Sequence, residues 1–229
     1  MQSEWTVMRP FYPNSIEQLL SRAQALSGLS LLALAKLTQQ VLPQDFRHAK
    51  GWLGQTLEQL LGATSGNLAQ PDFPHLGVEL KTLPLTLRGT PKESTYICTA
   101  PIPNPDFHWR QSRVYLKTAK ILWVPFLAEA LPLPERQLGQ PFLWQMDATS
   151  EAILQQDWTE LVEKINLGAV SHLSAHPGQY LQLRPKAANS KTLIQVVNQQ
   201  GNPISIVPKG FYLRSQFTRQ LLAKFYAGS

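Results

Sequence analysis

The stretch KILWVPF, residues 120–126, carries no charge after its first lysine and only one polar side-chain group, the Trp123 indole. It is far shorter than the roughly 18 residues that a membrane span needs. Its β-branched and aromatic residues predict a strand, and the absence of a polar face predicts burial on both sides, beneath helices. Such helices are available. Ser15 with Gln18 fits a capping box (Asn14 or Ser15 as the cap), and Leu19, Leu20, Ala23 and Leu26 form one apolar face ending at Gly28. Ser30 opens a second helix through Leu31, Leu32, Leu34 and Leu37, and residues 51–62 form a third with Leu53, Leu57, Leu60 and Leu61 as its stripe. Strands are predicted at 78–83, 94–100, 141–146, 179–185 and near 203–207. A long helix capped near Thr149 or Ser150 carries Leu154, Trp158, Leu161 and Ile165 and stops at Gly168; another runs from Ser215 to Phe225. Residues 127–140, with Pro132 and Pro134, read as a connection or short arm. The expected class is α/β: one domain over residues 1–229, with a mixed sheet flanked by helices.

Charge divides the chain. Residues 1–163 hold thirteen Lys and Arg against all fifteen acids, a net of −2, whereas residues 164–229 hold eight cations and no acid. A surface of one sign steers polyanions toward it. The aromatics interleaved with these cations favour nucleic acid as the partner over a merely solvated basic face. Within the one domain, a first, catalytic lobe over about 1–150 and a basic lobe over about 151–229 that meets nucleic acid are expected. Six Trp, six Tyr and nine Phe argue against disorder. The lone Cys98 excludes an internal disulfide and a cysteine-built zinc site. Residues 1–13 lack the basic-then-apolar pattern of a secretory signal. A soluble, cytoplasmic protein is expected.

The chemistry-bearing segment is PDFPHLGVELK, residues 71–81. Its prolines and Gly77 place Asp72 in or beside a turn. Alternation along the following strand sends Glu79 and Lys81 to one face, Val78 and Leu80 to the other. If the turn returns Asp72 over that face, two carboxylates can hold one hard divalent cation, with Mg²⁺ the natural choice. Such an ion would polarise a phosphodiester and activate water, with Lys81 orienting that water or stabilising charge on the phosphate. Glu58 borders the apolar stripe of the third helix and could reach the same ion or turn to solvent. Spacing alone is also compatible with a turn aspartate and a surface Glu–Lys pair.

Seven blocks in order carry a family resemblance: KGW-G (50–54), LEQLLGA (57–63), DF-HLGVELKT (72–82), ILWVP (121–125), DW-EL (157–161), YLQLRPKAAN (180–189) and GFYLR (210–214). Together they resemble the MutH family of DNA mismatch-repair endonucleases. The resemblance implies a restriction-endonuclease-like fold, with two arms around a DNA-binding cleft, and an Asp-x6-Glu-x-Lys metal site matched by Asp72, Glu79 and Lys81. It assigns the helix glutamate to Glu58 and an additional active-site lysine to Lys117. Around the latter, SRVYLKTAK departs from the His-rich segment usual in the family, and Lys120 is the alternative. Lys50 matches a lysine linked to DNA contact, although His48 and Ala49 depart from the usual acid-containing motif.

The implied activity is Mg²⁺-dependent nicking of the unmethylated strand at hemimethylated GATC in double-stranded DNA. The implied activator is the ATPase MutL, recruited by the mismatch binder MutS; the chain has no P-loop of its own. A monomer is expected. The alternative is a type II restriction endonuclease that cuts both strands at GATC. Arg184 and Lys186, with Pro185 fixing the backbone between them and Asn189, Ser190 and Lys191 beyond, suit a loop entering a groove. Tyr212 resembles the residue by which the family senses adenine methylation. His172 and His176 stand four apart without the intervening glutamate of a metalloprotease, and Cys98 in an apolar strand reads as core.

Overall fold

The computed structural model describes residues 12–66, 69–102, 106, 108–169, 178–186 and 193–227. Contacts divide the chain into two compact units, residues 1–89 with 121–144 and residues 90–120 with 145–229. The units interleave along the sequence. Segment 90–120, which the expected cut near residue 150 assigns to the first lobe, packs with the C-terminal part.

In the first unit, α1 (Ile16–Ala25) is capped by Ser15, whose hydroxyl accepts from the Gln18 amide, and α2 (Leu31–Thr38) is capped in the same way by Ser30. Helix α3 (Phe46–Leu61) begins earlier than the apolar stripe predicts, because Asp45 accepts from the His48 amide and starts the helix five residues before Gly51. Strand β1 (Glu79–Leu85) pairs in parallel with β3 (Lys120–Leu127), and β4 (Phe142–Gln145) lies on the far side of β3. Leu19, Leu31, Leu34, Leu53, Leu57 and Leu61 from the helices meet Leu80, Leu122, Val124 and Phe126 from the strands, and Val78 just before β1, in one core. KILWVPF is buried from Ile121 to Phe126, as its composition requires. Residues 127–140 form a docked connection: Leu138 is buried, and a short 3₁₀ turn at Leu133–Glu135 packs on α2.

The second unit is built on the antiparallel sheet β2–β8–β5, with β2 at Thr95–Thr99, β8 at Lys209–Leu213 and β5 at Leu181–Pro185. Helix α4 (Arg113–Thr118) packs on β2, and α5 (Ala148–Asn166) packs on β5. A hairpin of β6 (Ile194–Val197) and β7 (Pro203–Ile206) and the terminal helix α6 (Ser215–Ala227) complete the unit. The molecule is thus α/β with sheets flanked by helices. Among the described residues the parallel and antiparallel pairings fall in three sheets, where a single mixed sheet was expected. No helix among the described residues is long and apolar enough to cross a membrane.

The cap of α5 is Asp147, ahead of the Thr149 or Ser150 expected. Further along α5, the buried Asp157 carboxylate accepts from three consecutive backbone amides, Gln179 (2.8 Å), Tyr180 (2.6 Å) and Leu181 (2.8 Å), and so fixes where β5 begins. Removing that carboxylate strands the buried Leu181 donor, which is expensive to leave unmade, and two part-buried ones. Asp157→Ala is expected to destabilise the protein by roughly 2 kcal/mol, read as a lower urea midpoint, because the buried Leu181 amide and two part-buried ones lose their acceptor.

Candidate functional site

In the first unit the turn does return Asp72 to the strand. Phe73 and Val78 bridge each other through reciprocal backbone bonds, a 3₁₀ turn at Pro74–Leu76 reverses the chain, and Gly77 closes it at φ 63°, where a side chain is strained. Asp72 Oδ2 then accepts from the Leu80 amide at 2.8 Å, on the edge of β1 opposite its partner β3. Glu79 and Lys81 share a sheet face, as alternation predicts, and the Lys81 ammonium donates to Glu79 Oε1 at 2.5 Å. Their cross-strand neighbours are Ile121 and the fully buried Trp123. Asp72 and Glu79 are 4% and 1% exposed, which excludes an ordinary surface Glu–Lys pair.

Burial is the largest single influence on the Lys81 ammonium and would lower its pKa. The carboxylates of Glu79, Asp72 and Glu58, with the hydrogen bond to Glu79, act the other way and prevail, holding it above the usual lysine value. Lys81 is therefore a fixed positive charge, and Glu58 acts on the site through its field. Among the described residues no three Asp, Glu, His or Cys side chains are arranged to hold a metal ion. Asp72 and Glu79 are hard oxygen donors of the kind Mg²⁺ accepts, each with one oxygen engaged by the Leu80 amide or the Lys81 ammonium.

In the second unit, Arg184, Lys186 and Tyr212 come together on the sheet face opposite α4 and α5. Leu181, Leu183, Phe211 and Leu213 are buried toward the helices, while Gln182, Arg184 and Tyr212 alternate away from them. The Arg184 guanidinium lies 5.5 Å from the centroid of the Tyr212 ring, and Nη1 donates to Ser94 Oγ at 2.6 Å. Lys186 Nζ lies 5.1 Å from the Tyr96 centroid and donates to Thr99 Oγ1 at 2.7 Å. The Tyr96 and Tyr212 rings meet edge to face at 5.3 Å. Burial, aided by Tyr96 and opposed by Arg184, raises the Tyr212 phenol above its usual pKa, so it remains a neutral donor.

Lys50 lies half-buried in the second turn of α3. Lys117 is 9% exposed in the last turn of α4, and Lys120 opens β3 half-buried. Cys98 is buried, as expected of a core residue. Asn189, Ser190, Lys191, His172 and His176 lie outside the described residues. The residues that a linear inspection misses are Ser94, Tyr96 and Thr99, for which a strand rich in β-formers gave no further signal.

A raised folded-state pKa means that the stabilisation Lys81 supplies is complete below the unfolded-state value of 10.5 and fades as pH climbs through the folded-state value. The stability gap between wild type and Lys81→Met is expected to be flat from about pH 6 to about pH 9 and to narrow only at higher pH. Urea titrations across that range check this; a gap closing near neutrality would mean an uncharged amine.

The family model described as DNA mismatch repair enzyme MutH matches residues 61–157, which include Asp72, Glu79, Lys81 and Lys117. The DNA mismatch repair protein MutH of Vibrio cholerae is 46% identical over 217 residues, covering 94% of this chain and 98% of its own length. Its counterpart from Serratia proteamaculans is 45% identical over 216 residues, 93% of this chain and 95% of that one. The Yersinia pestis protein is 44% identical over 219 residues, at 95% and 96%. Similarity at this level across nearly the whole of both chains leaves one assignment: the chain belongs to the MutH family of DNA mismatch repair enzymes.

Proposed function

We propose that the protein is a Mg²⁺-dependent endonuclease that nicks the unmethylated strand of double-stranded DNA at hemimethylated GATC sites. The observation that supports this most is the meeting of the buried Asp72 and Glu79 with the half-buried Lys81 along β1, in a chain of a mismatch-repair family. Asp72 and Glu79 would hold the ion, whose chemistry is to polarise the scissile phosphodiester and lower the pKa of water. Lys81, kept as an ammonium by its carboxylate neighbours, offers positive charge to the phosphate as negative charge develops on it. Glu58 sets the local field, Lys117 is the additional active-site lysine, and Lys50 contacts a phosphate.

Arg184 and Lys186 would read base edges in the major groove, where a bidentate cation at guanine is the commonest specific contact. Tyr212, neutral and beside Arg184, is the group against which a methyl on adenine N6 would register. The cleft and two arms that would hold the duplex, activation by MutL with MutS acting upstream, a monomeric state and a cytoplasmic setting belong to the same proposal.

The decisive variant is Asp72→Asn. The carboxamide oxygen can still accept from the Leu80 amide, so the turn survives while the charge is lost. Nicking is expected to fall on the order of 10²–10³-fold or more, with GATC binding retained. Unchanged nicking refutes the role. Plasmids that are unmethylated or hemimethylated at GATC should be nicked in Mg²⁺ and fully methylated plasmid spared. Indifference to methylation, or prompt cutting of both strands, overturns strand-selective nicking.

Base reading has its own test. Lys186→Ala is expected to reduce discrimination between GATC and a site changed at one base by about tenfold or more, whereas substitution of the exposed Lys224 on α6 by alanine should weaken binding to both sites alike. Equal effects of the two substitutions on discrimination would make Lys186 a phosphate contact.

A further inference from the structure

Lys186 is tied down on the protein surface by residues that its own strand does not supply. Its ammonium donates to Thr99 Oγ1, and the same Thr99 hydroxyl lies 2.9 Å from the Tyr96 phenol, whose ring sits beneath the ammonium. Thr99 and Tyr96 are three residues apart on β2. Regular alternation would send them to opposite faces of the sheet. The register against β8 shifts between Tyr96 and Cys98, so that Tyr96 opposes Tyr212 while Thr99 opposes Gly210. Ile97 and Cys98 are consecutive and both buried, which is what one extra residue in a strand produces. The bulge therefore turns Thr99 onto the face that carries Arg184, itself opposite Gly210 on the other side of β8.

Gly210 is required for this packing. A Cβ there would stand 2.8 Å from a Tyr96 ring carbon and 3.3 Å from one of Tyr212. The two rings close over a position with no side chain, and the cations rest on the rings. None of these contacts neutralises a charge: the partners are hydroxyls and aromatic faces.

We propose that Thr99 is a positioning residue for base discrimination, its hydroxyl holding the Lys186 ammonium so that the two remaining N–H donors face the duplex. A free lysine stem samples many rotamers and presents its donors in many directions. One fixed hydrogen bond removes much of that freedom before DNA arrives and leaves two of the three ammonium donors for acceptors on a base edge. The proposal rests on the assignment of Lys186 as a base reader, and the test separates the two.

The experiment compares initial nicking rates, in Mg²⁺, at hemimethylated GATC and at a duplex changed at one base, for wild type, Thr99→Val, Thr99→Ser, Lys186→Ala and the Thr99→Val/Lys186→Ala pair. Thr99→Val keeps the shape and removes the hydroxyl. It is expected to lower the rate ratio by roughly five- to tenfold while leaving the salt dependence of binding unaltered, because no phosphate contact is lost. Thr99→Ser should restore the ratio, and the double variant should fall no further than Lys186→Ala alone. A wild-type ratio in Thr99→Val, with Lys186→Ala impaired, overturns the positioning role and leaves base reading intact. A ratio unchanged by Lys186→Ala overturns both. Failure of Thr99→Ser to restore discrimination overturns the role of the hydroxyl, since only packing would then explain the loss.

Discussion

One hydrogen bond, from the Leu80 amide to the Asp72 carboxylate, joins the fold of the first unit to its candidate site. An edge strand presents amides to solvent or to other chains, and here a side chain from eight residues upstream satisfies one of them. The same bond draws a carboxylate beside Glu79 and Lys81. Everything else about the site follows from register. Pairing of Glu79 with Ile121 and Leu80 with Leu122 puts the leucines into the helix-covered core and the acid and lysine on the other face. A slip of one residue would drive Glu79 among leucines and cancel both. The core and the charged cluster therefore impose the same alignment of β1 on β3.

The second unit handles charge differently. The tail has no acidic residue with which to pair its cations, and the two cations best placed on the open sheet face are steadied by neutral groups. Ion pairing would have ordered them equally well but cancelled the field that attracts a polyanion. Hydroxyls and aromatic faces order without neutralising. The uncharged Tyr212 phenol fits the same pattern.

Features written in contiguous residues are legible in the chain itself. Ser15 and Ser30 cap the helices they precede, KILWVPF is buried, and Glu79 and Lys81 share a face because alternation in a regular strand is local. The return of Asp72 depends on one turn, and Gly77 marks it. What stays hidden depends on distant partners. Helix α4 is six residues long, too short for a periodic stripe; β8 is the central strand of its sheet yet follows Pro208 and contains Gly210, two residues that weaken a strand signal. Asp157 looks like any polar residue on a helix until the start of β5 folds over it. Thr99 faces the wrong way in every regular strand, and only the bulge corrects it. The division of the units is equally illegible, because net charge changes sign along the chain at a place where the contacts do not divide.

The interleaving of the two units bears on biosynthesis. The first unit needs strands β3 and β4, so it cannot close until residue 144 has left the ribosome, by which time residues 90–120 have already emerged. That segment contributes β2, whose pairing partner β8 begins at Lys209, more than a hundred residues downstream of Thr95. The nascent chain must therefore carry an unmatched strand through about half of its synthesis, a period in which transiently exposed edges invite misassociation. Nor can the gene be cut once to give two independent halves, since no single break separates all the strands of one unit from all those of the other.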